Sequence, residues 1–169
     1  VNYLGTVRGV NLVLPTMLER GDGQIINIAS VAGRTVAAGM SNYCATKHAV
    51  VGMGKNLELE AERHGISVTT FCPAFVESGM IVNNTVRGTM DVPKVRAVIP
   101  IKPHPTHKAV RTLLEGVAKK KSIVITPFYG KIGWWLERIS PRLAMHQHRL
   151  MYSQMIKRSA KLKSKAAAA

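Results

Sequence analysis

Short apolar runs alternate with longer helical patterns along most of this chain, and this alternation limits the possible folds more than any other feature. Three runs have the length and composition of buried strands: Gln24 to Ala29, Ile66 to Cys72 and Ser122 to Thr126. Helical patterns precede or separate them, over Asn2 to Leu18, Ser41 to Arg63 and Thr106 to Lys119. The alternating order predicts an α/β domain with a parallel sheet and right-handed crossovers.

Glycine and proline mark the breaks between these elements. Gly21-Asp22-Gly23 predicts a turn, Gly65 predicts a helix end, and Pro15 is expected to kink the first helix. Thr106 is placed to N-cap the third helix. The segment 73–105 carries five prolines, so we expect only short helices there, over Ser78 to Val86 and Val92 to Val98.

Composition indicates a globular protein of a reducing compartment. A length of 169 residues with 46% hydrophobic residues suits one domain with its own core. Its two cysteines, Cys44 and Cys72, are expected to be reduced thiols, because nothing indicates a disulfide framework. No run of 18 apolar residues occurs, so we expect no spanning helix and a cytoplasmic location.

Positive charge is concentrated in the C-terminal part. Residues 1–100 hold nine Lys/Arg and seven Asp/Glu, whereas residues 101–169 hold fifteen and two. In the latter part the charge is mixed with apolar bulk such as Trp134-Trp135-Leu136, which predicts a basic amphipathic helical extension over 128–169. Such a mixture favours an anionic membrane surface as partner. A helix packed on the domain or on a neighbouring subunit, with a solvated tail, is the alternative; nucleic acid is not expected, because no recognised motif accompanies the charge.

Three side chains suited to carbonyl chemistry fall within 18 residues: Ser30, Tyr43 and Lys47. Tyr43 and Lys47 are four residues apart in a helical pattern, so they share one face, and Ser30 follows a predicted strand. A phenol ordinarily titrates near pH 10, and a close cation in a partly desolvated site favours its ionised form. The set could therefore hold a carbonyl oxygen and exchange a proton with it. The alternative is that Tyr43 and Lys47 are ordinary surface residues of a helix.

At these residues the chain resembles the classical short-chain dehydrogenase/reductase family. The stretch Ile26-Asn-Ile-Ala-Ser30-Val-Ala-Gly33 resembles that family's catalytic-serine strand, and Tyr43-Cys-Ala-Thr-Lys47 resembles its YxASK signature. Phe71-Cys-Pro73-Ala74-Phe-Val76-Glu-Ser78 resembles its PGxVxT loop, with Ala74 in place of the usual Gly and Ser78 in place of the usual Thr. The similarity runs from Asn2 to about Pro127.

The resemblance implies a Rossmann-like doubly wound parallel sheet, of which residues 1–127 would be the C-terminal half, with 73–105 capping the substrate pocket. It also implies NAD or NADP as cofactor and a role for each matched residue. Tyr43 would be the general acid/base, Ser30 would position the substrate oxygen, and Lys47 would favour the phenolate and bind the nicotinamide ribose. Asn2 would hold a proton-relay water. The loop residues Pro73, Ala74, Val76 and Ser78 would meet the nicotinamide end of the cofactor.

The family's glycine-rich TGxxxGxG turn and NNAG-like segment do not occur in this sequence. Such a turn at a helix N-terminus holds the cofactor pyrophosphate. We therefore expect this chain to be part of a longer protein, and to bind a dinucleotide weakly by itself. A truncated, non-catalytic module that binds membranes or a protein through its basic end is the alternative.

Substrate, assembly and metal content are less constrained. Apolar residues in the capping region predict an apolar carbonyl or alcohol substrate, although they could equally belong to the core: Met80, Ile81, Val82, Met90, Val95 and Ile99. By resemblance, the helices that carry Asn2 and Tyr43 would pair in a homo-oligomer. No metal is expected, because no acidic or cysteine ligand completes a site at either of two histidine pairs, His104 with His107 and His146 with His148.

Overall fold

The computed structural model describes residues 1–78, 99 and 101–167, and it confirms the predicted alternation of helices and strands. The strands are β1 (Gly23–Ile28), β2 (Ile66–Pro73) and β3 (Ile123–Thr126). The helices are α1 (Leu4–Arg20), α2 (Ser41–Ala61), α3 (Thr106–Ala118), α4 (Phe128–Ile139) and α5 (Pro141–Ala167). Short 3₁₀ turns cover Val31–Gly33 and Glu62–His64.

The three strands form one parallel sheet in the order β1-β2-β3. Ile25 of β1 lies opposite Val68 of β2, and Phe71 of β2 lies opposite Val124 of β3. The central strand β2 is the most buried, as a continuous apolar run predicts for a strand covered on both faces. Because the strands are parallel, the carboxyl ends of all three lie at the same edge of the sheet.

Helices pack against both faces of the sheet. Val10 of α1 and Leu57 of α2 share one buried cluster with Ile25 and Val68. Ala109 of α3 shares another with Phe71 and Val124. The helix–sheet–helix layers confirm the predicted α/β class.

Several boundaries differ from the sequence-based prediction. The first helix begins at Leu4, so Asn2 lies in the preceding turn, and it continues past Pro15 to Arg20, where Gly21 ends it with a φ of 65°. The predicted N-cap at Thr106 is wrong. Pro105 occupies the cap position in an extended conformation, and the hydroxyl of Thr106 instead donates a hydrogen bond to the carbonyl oxygen of Glu77. Almost all of the two short helices predicted between 78 and 98 lies outside the described residues.

Beyond β3 the chain forms two further helices. α4 packs against β3 and α5, and Ala144 and Ser159 of α5 are both buried. Arg158 on α5 donates to the carbonyl oxygen of Ile99, at 3.5 Å, within the predicted capping region. Among the residues that the structure describes, no helix has both the length and the apolar content needed to cross a bilayer.

Candidate active site

Ser30 is fixed at the carboxyl edge of the sheet, directly beyond β1. Its Oγ donates to the carbonyl oxygen of Pro73, at 3.3 Å, and accepts from the N–H of Ala32, at 3.2 Å. The preceding Ala29 N–H donates to the carbonyl oxygen of Phe71, at 2.8 Å. These bonds place the hydroxyl at the ends of β1 and β2, where open α/β sheets bind their ligands.

Tyr43 and Lys47 lie one turn apart in the first part of α2, as the sequence predicts. The Lys47 Nζ lies 5.7 Å from the centroid of the Tyr43 ring and donates to the carbonyl oxygen of Ile28, at 2.9 Å. Burial lowers the pKa of Lys47, and the nearby Cys72 partly offsets this by raising the pKa of Lys47. An ammonium has three N–H donors, so Lys47 retains donors for a ligand after bonding Ile28.

Gly33 brings the segment after Ser30 against the helix that carries Lys47. A Cβ at Gly33 would lie 2.4 Å from the carbonyl oxygen of Lys47 and 3.0 Å from Cγ2 of Val51. Only a residue without a side chain allows this close backbone approach. In the sequence Gly33 stands out only as part of the serine motif, and nothing there predicts this packing role.

Asn2 is the predicted site residue that the structure does not join to the others. It is exposed, and its carbonyl oxygen accepts from the hydroxyl of Thr6, at 3.1 Å. Within the described residues no hydrogen bond connects Asn2 with Lys47. Its role as the holder of a relay water therefore stays a prediction.

The Pro73–Ser78 segment continues β2 beyond the sheet. Ala74 N–H donates to the carbonyl oxygen of Thr126, at 2.7 Å, and Val76 forms a parallel bridge with His104. This bridge uses the flanking groups, the Phe75 carbonyl and the Glu77 N–H, so the N–H and C=O of Val76 point away from His104. No hydrogen bond within the described residues uses those backbone groups. The Val76 side chain packs against a core cluster, and Ser78 is exposed.

These residues fit one end of a dinucleotide. Among the described residues Lys47 Nζ bonds only the Ile28 carbonyl, so its other donors suit ribose hydroxyls, and the backbone of Val76 suits a carboxamide. Across residues 1–78, 99 and 101–167, no glycine-rich turn leads from a strand into a helix N-terminus, so this part of the chain has no match for the pyrophosphate end.

One face of α4 contacts the residues that follow Ser30. The guanidinium carbon of Arg34 lies 4.1 Å from the ring centroid of Trp134, and burial lowers the pKa of Arg34. The Val36 N–H donates to Oε1 of Glu137, at 3.0 Å. The one signal of this contact in the sequence is that Glu137 is the only acidic residue from 128 to 169, and that signal does not predict the partner.

The cysteines and histidines have other surroundings. Both thiols are free; burial raises the pKa of Cys72 to about 11, and Cys44 Sγ donates to the carbonyl oxygen of Ala37, at 3.7 Å. His148 Nε2 lies 2.9 Å from Oε1 of Glu137. Across residues 1–78, 99 and 101–167, no group of three or more His, Cys, Asp or Glu side chains is placed to hold a metal ion.

The chain is similar to known proteins over most of its length. Residues 1–87, just over half of the chain, match the family model described as short chain dehydrogenase. Human 17-beta-hydroxysteroid dehydrogenase 13 is 31% identical over 147 residues, which cover 85% of this chain and 45% of that protein. Rat retinol dehydrogenase 10 is 32% identical over 131 residues, which cover 76% of this chain and 36% of that protein.

A solved structure has the same fold. The short-chain dehydrogenase from Sphingobium yanoikuyae in complex with NADPH superposes with a TM-score of 0.67 and 26% identity, over 86% of this chain and 53% of that chain. The chain thus spans less than half the length of the two curated relatives. By its matched residues and its parallel sheet, the chain belongs to the short-chain dehydrogenase family.

Proposed function

We propose that this chain is the catalytic half of an NAD(P)-dependent oxidoreductase that interconverts a carbonyl and an alcohol. The observation that carries the proposal is the position of Lys47 Nζ, between the Tyr43 ring and the carboxyl end of β1, where Ser30 lies. Residues 1–127 would form the partial dehydrogenase domain, with 73–105 over the substrate, and 128–169 the extension.

Each residue of the set has a distinct task in this reaction. A nicotinamide cofactor held by Lys47 and the Pro73–Ser78 segment would supply or accept the hydride. Ser30 Oγ turns its hydrogen from Pro73 to the substrate oxygen and holds it beside Tyr43. The Tyr43 hydroxyl gives its proton to that oxygen in reduction and takes it back in oxidation. Lys47 favours the phenolate by its charge, and Asn2 holds the water through which the proton reaches solvent.

An apolar substrate and either nicotinamide cofactor suit this site. The relatives named for a hydroxysteroid and a retinol have apolar alcohols in their names. The Sphingobium structural neighbour is in complex with NADPH. Ile99, in the predicted capping region, is half-buried. These observations support an apolar alcohol or ketone as the substrate class, with NADP or NAD as cofactor.

The edge of β1 fits a further strand from the same protein. Among the described residues β1 pairs only with β2, so its other edge has no partner strand there. Two side chains on one face of β1, Ile26 and Ile28, are also 39% and 51% exposed. Parallel sheets in α/β proteins usually have both faces covered. We therefore propose that a preceding segment, carrying the pyrophosphate site, completes the sheet beside β1. Without it, the chain would be a non-catalytic module.

Cofactor binding and turnover distinguish the catalytic half of an oxidoreductase from a non-catalytic module. A longer protein that includes the preceding segment should bind NADPH or NADH at micromolar concentration. It should also oxidise the bound cofactor in the presence of apolar aldehydes or ketones, as a fall in absorbance at 340 nm would show. The chain 1–169 alone should bind neither at that level, because it lacks the phosphate site. Micromolar binding by the chain alone would contradict the assignment of a half site.

We propose that the chain forms a homo-oligomer through the outer faces of α1 and α2. Leu12 and Leu59 are 80% and 73% exposed there. A groove of about 470 Å³ runs between the two helices, lined by Val7, Asn11, Met53 and Asn56 among others. Exposed leucines on both helices, together with a groove between the helices, suit a self-complementary helix pairing.

We also propose that α4 docks on an anionic membrane surface. Four large side chains spaced along one face of α4 are 53–76% exposed: Phe128, Ile132, Trp135 and Ile139. Lys131 and Arg138 lie beside this apolar strip, at about 100° of rotation per residue. An apolar strip with a tryptophan and flanking cations is complementary to acidic lipid headgroups.

Replacement of strip residues should abolish vesicle binding. The chain should float with vesicles of phosphatidylserine and phosphatidylcholine at low salt and dissociate as salt screens the charges. Ile132→Glu with Trp135→Glu should reduce the bound fraction at least tenfold, since each change places a charge in the lipid interface. Leu114→Glu, at a side chain 58% exposed on α3, is the matched control and should float like the parent. Equal flotation of the strip variant would exclude docking through α4.

A further inference from the structure

The ten residues from Val31 to Met40 join Ser30 to the helix that carries Tyr43 and Lys47. We call them the catalytic loop. Because the loop connects these residues, its position contributes to the distance between the Ser30 hydroxyl and the Tyr43 phenol. Gly33 fixes the first part of the loop by close approach to α2. The second part is held from another direction, by α4.

Four residues on one side of α4 meet the catalytic loop. A Cβ at Gly130 would lie 2.8 Å from Cγ1 of Val31, and one at Gly133 would lie 4.0 Å from Cγ2 of Thr35. Arg34 lies over Trp134, at 4.1 Å from guanidinium carbon to ring centroid. Glu137 Oε1 accepts from the Val36 N–H, at 3.0 Å. Gly130 allows the close approach, and the Trp134 and Glu137 side chains supply the attraction.

Glu137 also joins the loop to the last helix. The same Oε1 that accepts from Val36 lies 2.9 Å from Nε2 of His148 on α5. The side chains of His148 and Glu137 are only 15% and 24% exposed. A carboxylate removed from most of the water depends on these two partners, and hydrogen bonds to an ionised acceptor are the stronger kind.

We propose that Glu137 is a positioning residue for the catalytic loop. Through the Val36 N–H it holds the loop at the distance from α2 that aligns Ser30 with Tyr43, whereas its contact with His148 joins α4 to α5. The extension thereby contributes to catalysis without touching the substrate. This inference rests on the proposed function for its catalytic consequence, whereas the restraint on the loop is a property of the folded protein.

The test compares three variants of the full-length enzyme. Glu137→Leu removes the acceptor, Glu137→Gln keeps a carbonyl oxygen for Val36, and His148→Leu breaks only the α5 side. In Glu137→Leu the Val36 amide should exchange its hydrogen at least about tenfold faster, because its bond to the carboxylate is lost. kcat should fall about tenfold or more, with the KM for cofactor within about twofold of the parent, since misplacement of a reacting group is costly.

The other variants separate positioning from general stability. Glu137→Gln should recover kcat to within about threefold of the parent, because a neutral amide oxygen still accepts the Val36 hydrogen bond. His148→Leu should lower Tm as much as Glu137→Leu while kcat stays within about threefold, because the Val36 bond remains.

Three results would overturn the proposal: unchanged Val36 exchange in Glu137→Leu, unchanged kcat in that variant, or an equal loss of kcat in His148→Leu. A parent that reduces no carbonyl compound would instead refute the proposed function. Hydrogen exchange would then still decide whether Glu137 holds the loop.

Discussion

Tyr43→Phe should lower kcat of the full-length enzyme by at least a hundredfold and leave cofactor affinity within about twofold. The phenol is the proposed proton donor, and general acid/base groups contribute about 10²–10⁴-fold in rate. Phenylalanine keeps the ring that lies 5.7 Å from Lys47 Nζ, so the helix and the lysine should stay in place. Steady-state oxidation of NADPH with an apolar ketone, together with NADPH fluorescence titration, measures both quantities.

Tyr152→Phe is the matched control, because it removes the same hydroxyl from a half-buried residue on α5. It should keep kcat within about twofold of the parent. Activity of Tyr43→Phe within tenfold of the parent would refute the acid/base role. A hundredfold loss in both variants would trace the effect to the fold and not to proton transfer.

Gly33→Ala should damage both stability and turnover. Its methyl group would lie 2.4 Å from the carbonyl oxygen of Lys47, where backbone atoms must move apart. Overpacking of this kind costs about 1–3 kcal/mol, and a shift of about 1 Å at a reacting group costs about a hundredfold in rate. We therefore expect the free energy of unfolding to fall by about 2 kcal/mol and kcat to fall at least tenfold, as measured by urea unfolding and steady-state kinetics.

Gly52→Ala, in the helix that Gly33 approaches, provides the comparison. A Cβ at Gly52 would meet no atom within 4 Å, and alanine is the better helix former by about 1 kcal/mol. This variant should be as stable as the parent or slightly more so, with unchanged kcat. If Gly33→Ala behaved like Gly52→Ala, the close contact between the catalytic loop and α2 would not hold Ser30 in place.

Sequence patterns were sufficient for the elements and for the placement of Tyr43 and Lys47 on one helix. The apolar runs at β1, β2 and β3 predicted the strands to within one or two residues, because a buried strand needs a continuous apolar stretch. Helical spacing put Tyr43 and Lys47 on one face of α2, and the structure has both one turn apart. These features depend on local periodicity, which the sequence contains directly.

Contacts between distant segments were not predictable in the same way. The bond between Val36 and Glu137 joins residues 101 positions apart, and no local pattern encodes it. The error at Thr106 has a similar origin, because its hydroxyl bonds Glu77 across the fold and not its own helix. Hydropathy and charge predicted an amphipathic extension but could not tell that Trp134 would pack on Arg34 while Trp135 stays 54% exposed.

Transfer of label from the cofactor tests the central claim most directly. The full-length protein is incubated with NADPH that carries deuterium on the transferable position of the nicotinamide, together with apolar ketones, and the products are analysed by mass spectrometry. If the Ser30, Tyr43 and Lys47 set does carbonyl–alcohol chemistry, the alcohol will carry deuterium on its carbinol carbon, and Tyr43→Phe will form almost none. An alcohol without deuterium, or an equal yield of labelled alcohol from Tyr43→Phe, would contradict the account.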